Sequence, residues 1–83
     1  MMSTIDNIPL YNSRLIDTYI KFIKRNYGYI NVGELLKYAK MESYQVADEG
    51  HWFTQEQIDL FYERLVKLTR NRNIAREAGR YAA

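Results

Sequence analysis

The chain has 83 residues, of which 47% are hydrophobic and 27% charged, with a net charge of +2. Such a length supports one thin core, since a domain this small buries only about 60–65% of the surface its unfolded chain exposes. No cysteine is present and histidine occurs once, which excludes disulfides, thiolate metal sites, cysteine nucleophiles and histidine-rich metal centres. Apolar runs of two or three residues fall far short of a bilayer span, and no apolar signal-peptide core follows Met1, so the expected location is cytoplasmic. Charge is uneven along the chain. Residues 1–40 hold six basic and three acidic groups, residues 41–63 six acidic and none basic, and residues 64–83 six basic and one acidic.

Residues 1–9, MMSTIDNIP, lack a period and end at the only proline, which disfavours helix in the residue before it. They read as a flexible or extended lead-in. From Leu10 to Tyr27 the apolar positions Leu15, Ile16, Tyr19, Ile20, Ile23 and Tyr27 recur at spacings of three and four, the signature of an amphipathic helix. Asn12 or Ser13 is placed to cap it, and Gly28 stands where a left-handed residue ends many helices.

A second short helix is expected after Asn31, whose side chain can cap it with Glu34 three residues on. Val32, Leu35, Leu36 and Ala39 supply its apolar face. Residues 41–53 break the pattern and read as a structured connector with at most one helical turn, bent at Asp48, Glu49 and Gly50. Thr54 then opens a T-x-x-Q capping box through Gln57, with Phe53 and Ile58 spaced as a hydrophobic staple. The helix so begun runs to about Thr69 over Ile58, Phe61, Tyr62, Leu65 and Leu68. A last helix, capped by Asn73, carries a small-residue face of Ala75, Ala78, Gly79 and Ala82. With Arg80 and Tyr81, residues Ala75, Ala78 and Gly79 form the candidate interaction surface.

His51 is the natural first suspect for acid–base chemistry, since imidazole titrates near neutral pH and Asp48 and Glu49 lie close enough in sequence to orient it. Its partners for catalysis are missing: no nucleophile motif accompanies it, and no second His or Cys completes a metal site. The expected role of His51 and Trp52 is to close the connector over the core, with the indole ring buried and its N–H on a carbonyl. The set His51, Trp52, Phe53, Thr54, Gln57 and Ile58 is therefore a structural signature. No catalytic, cofactor-binding or metal-ligating residue is assigned, and no cofactor is implied. The eight tyrosines and three phenylalanines are read as core and boundary residues, with Phe22, Tyr11, Tyr29, Tyr38 and Tyr44 left without an assigned place.

Two resemblances attach to these residues. The stretch VGELLKYAKMESYQVADEGHWFTQEQIDLF resembles the winged helix-turn-helix of MerR-type regulators, but the residues standing for a recognition helix, Glu42 to Glu49, contain three acids and no base. DNA reading needs Arg or Lys there, so nucleic acid is disfavoured as a partner. The segments YNSRLIDTYIKFIKR, NVGELLKYAKM, VADEGHWFTQEQIDLFYERLV and NIAREAGRYAA together resemble the N-terminal region of bacterial multidomain sensor histidine kinases with PAS-type modules. Lys40 and Arg70 stand where that pattern has glycine.

The resemblance implies a non-enzymatic signal-transduction module of a two-component system. It would contact downstream sensory or kinase domains of its own polypeptide, or a second copy of itself. The kinase catalytic segments are absent from this sequence. The fold expected from the residues is all-α, a small orthogonal array of four helices over residues 10–83 with a helix-turn-helix-like middle.

Overall fold

The computed structural model describes residues 8–82, with side chains placed for residues 8–78. Its elements are β1 (Pro9–Asn12), α1 (Ser13–Asn26), α2 (Val32–Tyr38), α3 (Ser43–Ala47), β2 (Trp52–Thr54), α4 (Gln55–Thr69) and α5 (Ile74–Ala82). Two features correct the sequence expectation. The described residues form five helices rather than four, because the connector closes a short α3. The fold is also not purely helical, because β1 and β2 pair antiparallel with Tyr11 opposite Phe53 and Asn12 opposite Trp52.

The ribbon leads directly into α1. The chain stays extended from Pro9, the last residue of the expected lead-in, to Asn12, and the helix begins at Ser13, after one of the two expected caps. Asn12 is the cap, its Oδ1 accepting the Arg14 N–H at 3.0 Å, which satisfies one of the unpaired donors of the first turn. The rest of the lead-in, residues 1–7, lies outside the described residues.

Helix directions follow from the hydrogen bonds at their ends. Near the ribbon, the Ser13 N–H donates to the His51 carbonyl at 2.9 Å and the Tyr11 hydroxyl to Gln55 at 2.6 Å. At the opposite end, the Tyr29 hydroxyl donates to the Leu68 carbonyl at 3.3 Å, and the Asn71 amide donates to the Tyr27 hydroxyl at 3.3 Å. So α1 and α4 run side by side in the same direction, each launched from one strand of the ribbon. After α1 the chain returns as α2 along α4, with Glu34 near Arg64, Tyr38 near Glu63 and Lys40 near Glu56. The short α3 packs on α1, while α5 packs on both α1 and α4.

The core is one cluster in which Phe53, Phe61, Ile16, Ile23, Leu35, Leu65 and Ile74 are the large, fully enclosed side chains. Removing each from water is worth about 1.5–3 kcal/mol. Ile16, Ile20 and Ile23 supply the expected buried stripe of α1, and Leu35 and Leu36 that of α2. Phe22 is buried as well and packs against Tyr27, ring centroids 6.0 Å apart. Leu15, assigned to the apolar face, is instead exposed.

Helix ends show where a local rule was read correctly and where it moved. Among the described residues no glycine has positive φ, so Gly28 is not a left-handed cap. The left-handed positions belong to Lys40 (φ 61°) and Arg70 (φ 55°). After α2 the Lys40 N–H donates to Lys37 and the Met41 N–H to Leu36, at 3.1 and 2.9 Å. This is the paired bonding of a Schellman turn, with Met41 and Leu36 both buried beside it. Glycine is the usual residue at such a place because it has no Cβ to clash. The two positions singled out for lacking glycine are therefore the two where the backbone turns left-handed.

Candidate functional site

The signature stretch at residues 50–58 sits where ribbon, α1, α3 and α4 meet. Its capping box is complete: Thr54 Oγ1 accepts the Gln57 N–H at 3.2 Å, and Gln57 Oε1 accepts the Thr54 N–H at 3.1 Å. The Gln57 amide also donates to the Lys40 carbonyl at 2.8 Å. One side chain thus caps α4 and pins the left-handed turn after α2. Phe53 is fully buried and Ile58 packs on the edge of the same core.

The expected lid is inverted. Trp52 is 50% exposed, and Phe53, the next residue, is the one enclosed at 0%. The cause is strand alternation, since successive side chains in an extended chain point to opposite faces. Trp52 lies across the ribbon from Asn12, on the side away from the core, while Phe53 lies opposite Tyr11 on the inner side. His51 is half-buried and its ring meets Phe53 edge-on at 4.7 Å. Its backbone closes the site, the carbonyl accepting from Ser13 and the N–H donating to Asp48 at 3.0 Å.

Ser13 is the residue that sequence reasoning missed as more than a cap. It is 1% exposed, and its hydroxyl donates to the Asp48 carbonyl at 2.6 Å. The neighbouring Asn12 amide donates to the Glu49 carbonyl at 2.9 Å. Together they fix the Asp48–Gly50 turn against the start of α1, and the Asp48 carboxylate accepts the Gly50 N–H at 2.9 Å. A sequence signal existed in N-S at a helix start, but nothing local says that a turn thirty-five residues on will accept from it.

The candidate surface on α5 divides. Ala78 is 2% exposed and belongs to the chain's own core with Ile74, so it is not free for another partner. Ala75 is half-buried. The side chains of Gly79, Arg80 and Tyr81 lie outside the described residues. The unassigned aromatics now have places: Tyr29 and Tyr44 are 73% and 71% exposed, Tyr38 lies under Arg64 with the guanidinium carbon 5.2 Å from its ring, and Tyr11 bonds Gln55.

Surface concavities are shallow. A groove of about 190 Å³ between α1 and α4 is lined by Leu15, Tyr19, Ile58 and Tyr62, below the roughly 300–1,000 Å³ of small-molecule sites. Within it Tyr19 packs edge-on to Phe61 at 5.7 Å. Burial, and secondarily the nearby Tyr62, pushes its hydroxyl above the ordinary tyrosine value. Among the described residues no three His, Asp or Glu side chains gather to hold a metal, and no helix is long and apolar enough to cross a membrane. The geometry offers contact chemistry: a rigid corner with an outward tryptophan and exposed carboxylates.

Comparison with protein-family models, with curated proteins and with solved structures finds no match.

Proposed function

We propose that the chain is a non-catalytic regulatory module of a bacterial sensor histidine kinase, cytoplasmic, that couples signal input to downstream domains through protein contact. The observation that carries this reading is the set of large aromatic side chains left outside the core at separate places on the surface, Trp52, Tyr44 and Tyr29 each at least half exposed. Tyr and Trp are the residues protein interfaces most often use as anchors. The sensor-kinase placement itself rests on the resemblance of the four segments quoted above. Its test is the reading frame that encodes the chain. Sensory and kinase segments in frame with it are expected, and a frame lacking both overturns the placement.

A second reading is a degenerate MerR-like DNA-binding domain in an orthogonal helical array, favoured by the succession of α2, a tight left-handed turn and α3. Against it, α3 has five residues, about 7 Å of helix. Glu42, Asp48 and Glu49 flank it in exposed positions, where phosphates would be repelled.

A further inference from the structure

We propose that the outer face of the ribbon, centred on Trp52 and rimmed by Asp48 and Glu49, is a docking site for a cationic segment of a partner protein. The proposal rests on the protein-contact reading above and names its surface and the chemistry of its partner.

The apolar part comes from the strands. Trp52 projects away from the core, half exposed, and Leu10 at the ribbon's bulge and Ile8 beside it are each 45% exposed. The scaffold beneath them is fixed, since Phe53 is enclosed and the two strands are paired. An exposed indole on such a support presents apolar area at low entropic cost, as an interface anchor does.

Charge selects the occupant. The Asn12 and Ser13 side chains hold the backbone of Glu49 and Asp48 against the same end of the ribbon, where Asn12 faces Trp52. Both acidic residues are exposed, and the ion pairs seen among the described residues, Lys21–Asp17, Lys40–Glu56 and Arg64–Glu34, engage neither. The cation on this corner is Arg14, whose Nε is held by Asn12 Oδ1 at 3.3 Å. A Lys or Arg from a partner meets both the carboxylates and the indole face, combining ion pairing with cation–π attraction. The fold uses that pairing internally where Arg64 lies over Tyr38. Anionic lipid and nucleic acid meet like charge at this corner, and a second copy docked ribbon to ribbon sets Asp48 and Glu49 against themselves.

The experiment is calorimetric titration of the whole chain with a short Trp-free peptide of alternating Leu and Arg, with the Leu–Glu peptide and anionic phosphatidylserine vesicles as comparisons. Emission of the only tryptophan provides a second readout. Expected is saturable binding of the Leu–Arg peptide with a shift in Trp52 emission, weakened about tenfold or more by Trp52→Ala. The paired change Asp48→Asn with Glu49→Gln weakens it too and flattens its salt dependence. All three side chains are exposed, so circular dichroism should show these variants folded. Equal binding by variants and parent, equal binding of the Leu–Glu peptide, preference for the vesicles, or no binding each overturns the docking site. If the reading frame then carries sensory and kinase segments, the regulatory-module reading survives. If the frame lacks them while the peptide binds as expected, the docking site stands and the sensor-kinase placement falls.

Discussion

Replacing Lys40 by glycine and, separately, by alanine tests the backbone where α2 turns toward α3. An L-residue in the left-handed conformation costs roughly 1–2 kcal/mol through contact of its Cβ with the following carbonyl. Glycine removes that cost but gives back roughly 0.5–1 kcal/mol in greater freedom of the unfolded chain. Both variants lose the Lys40–Glu56 pair, 3.6 Å apart and largely solvated, which is worth at most a few tenths of a kcal/mol. Both keep the backbone carbonyl that Gln57 bonds. The difference between them therefore isolates the Cβ, and Lys40→Gly is expected to be the more stable by about 0.5–1 kcal/mol. For a domain of this size that is about 2–8 °C in melting midpoint. Inside a regular helix the order is reversed, with glycine about 1 kcal/mol worse than alanine. Thermal unfolding by circular dichroism reads the sign, and an alanine variant as stable as the glycine variant refutes the left-handed turn. The same comparison at Arg70 is expected to give the same sign.

Thr54→Ala is expected to cost about 1 kcal/mol by loss of the α4 cap, and Gln57→Ala more, because it breaks both the box and the bond to Lys40; equal midpoints for the two by urea unfolding contradict the dual role of Gln57. Phe53→Ala is expected to cost about 3–5 kcal/mol, much of the roughly 4–12 kcal/mol a chain of this length has, whereas Trp52→Ala stays within about 1 kcal/mol. Emission of Trp52 should be red-shifted and readily quenched by acrylamide, and a blue-shifted, protected indole contradicts the strand register. Tyr19 titrates above its ordinary value of 10.0 in the folded chain. It therefore holds its proton more tightly folded than unfolded, and its contribution is full below about pH 10 and is lost as pH rises through the folded value. Tyr19→Phe should leave stability near pH 7 little changed and lessen the alkaline loss, and identical alkaline midpoints refute this.

Signals that lie within a few residues of one another were legible. Asn31, Thr54 and Gln57 mark helix starts because capping is a local bond, and the isoleucines of α1 mark a buried face because helical period is local too. The ribbon was not legible, since its strands have four and three residues and too few alternations to show a period of two. That omission accounts for the misplaced tryptophan. Read as connector, HWF put the larger ring inside. Read as strand, the same letters put Phe53 inside and Trp52 out. Which small residue of α5 meets the chain's own core, as Ala78 does, shows in no local pattern, because it is decided by how α5 packs on α1 and α4. Lys40 and Arg70 are two helix ends that turn left-handed without glycine.

A helical unit built for protein contact is expected not to read DNA. Titration of a labelled random duplex with the chain, followed by anisotropy at low and at physiological salt, tests it most directly. The prediction is no saturable binding at physiological salt up to about 10 μM protein, because the region standing for a recognition helix presents Glu42, Asp48 and Glu49 to the phosphates. Binding near about 1 μM that weakens steeply as salt rises would contradict the claim.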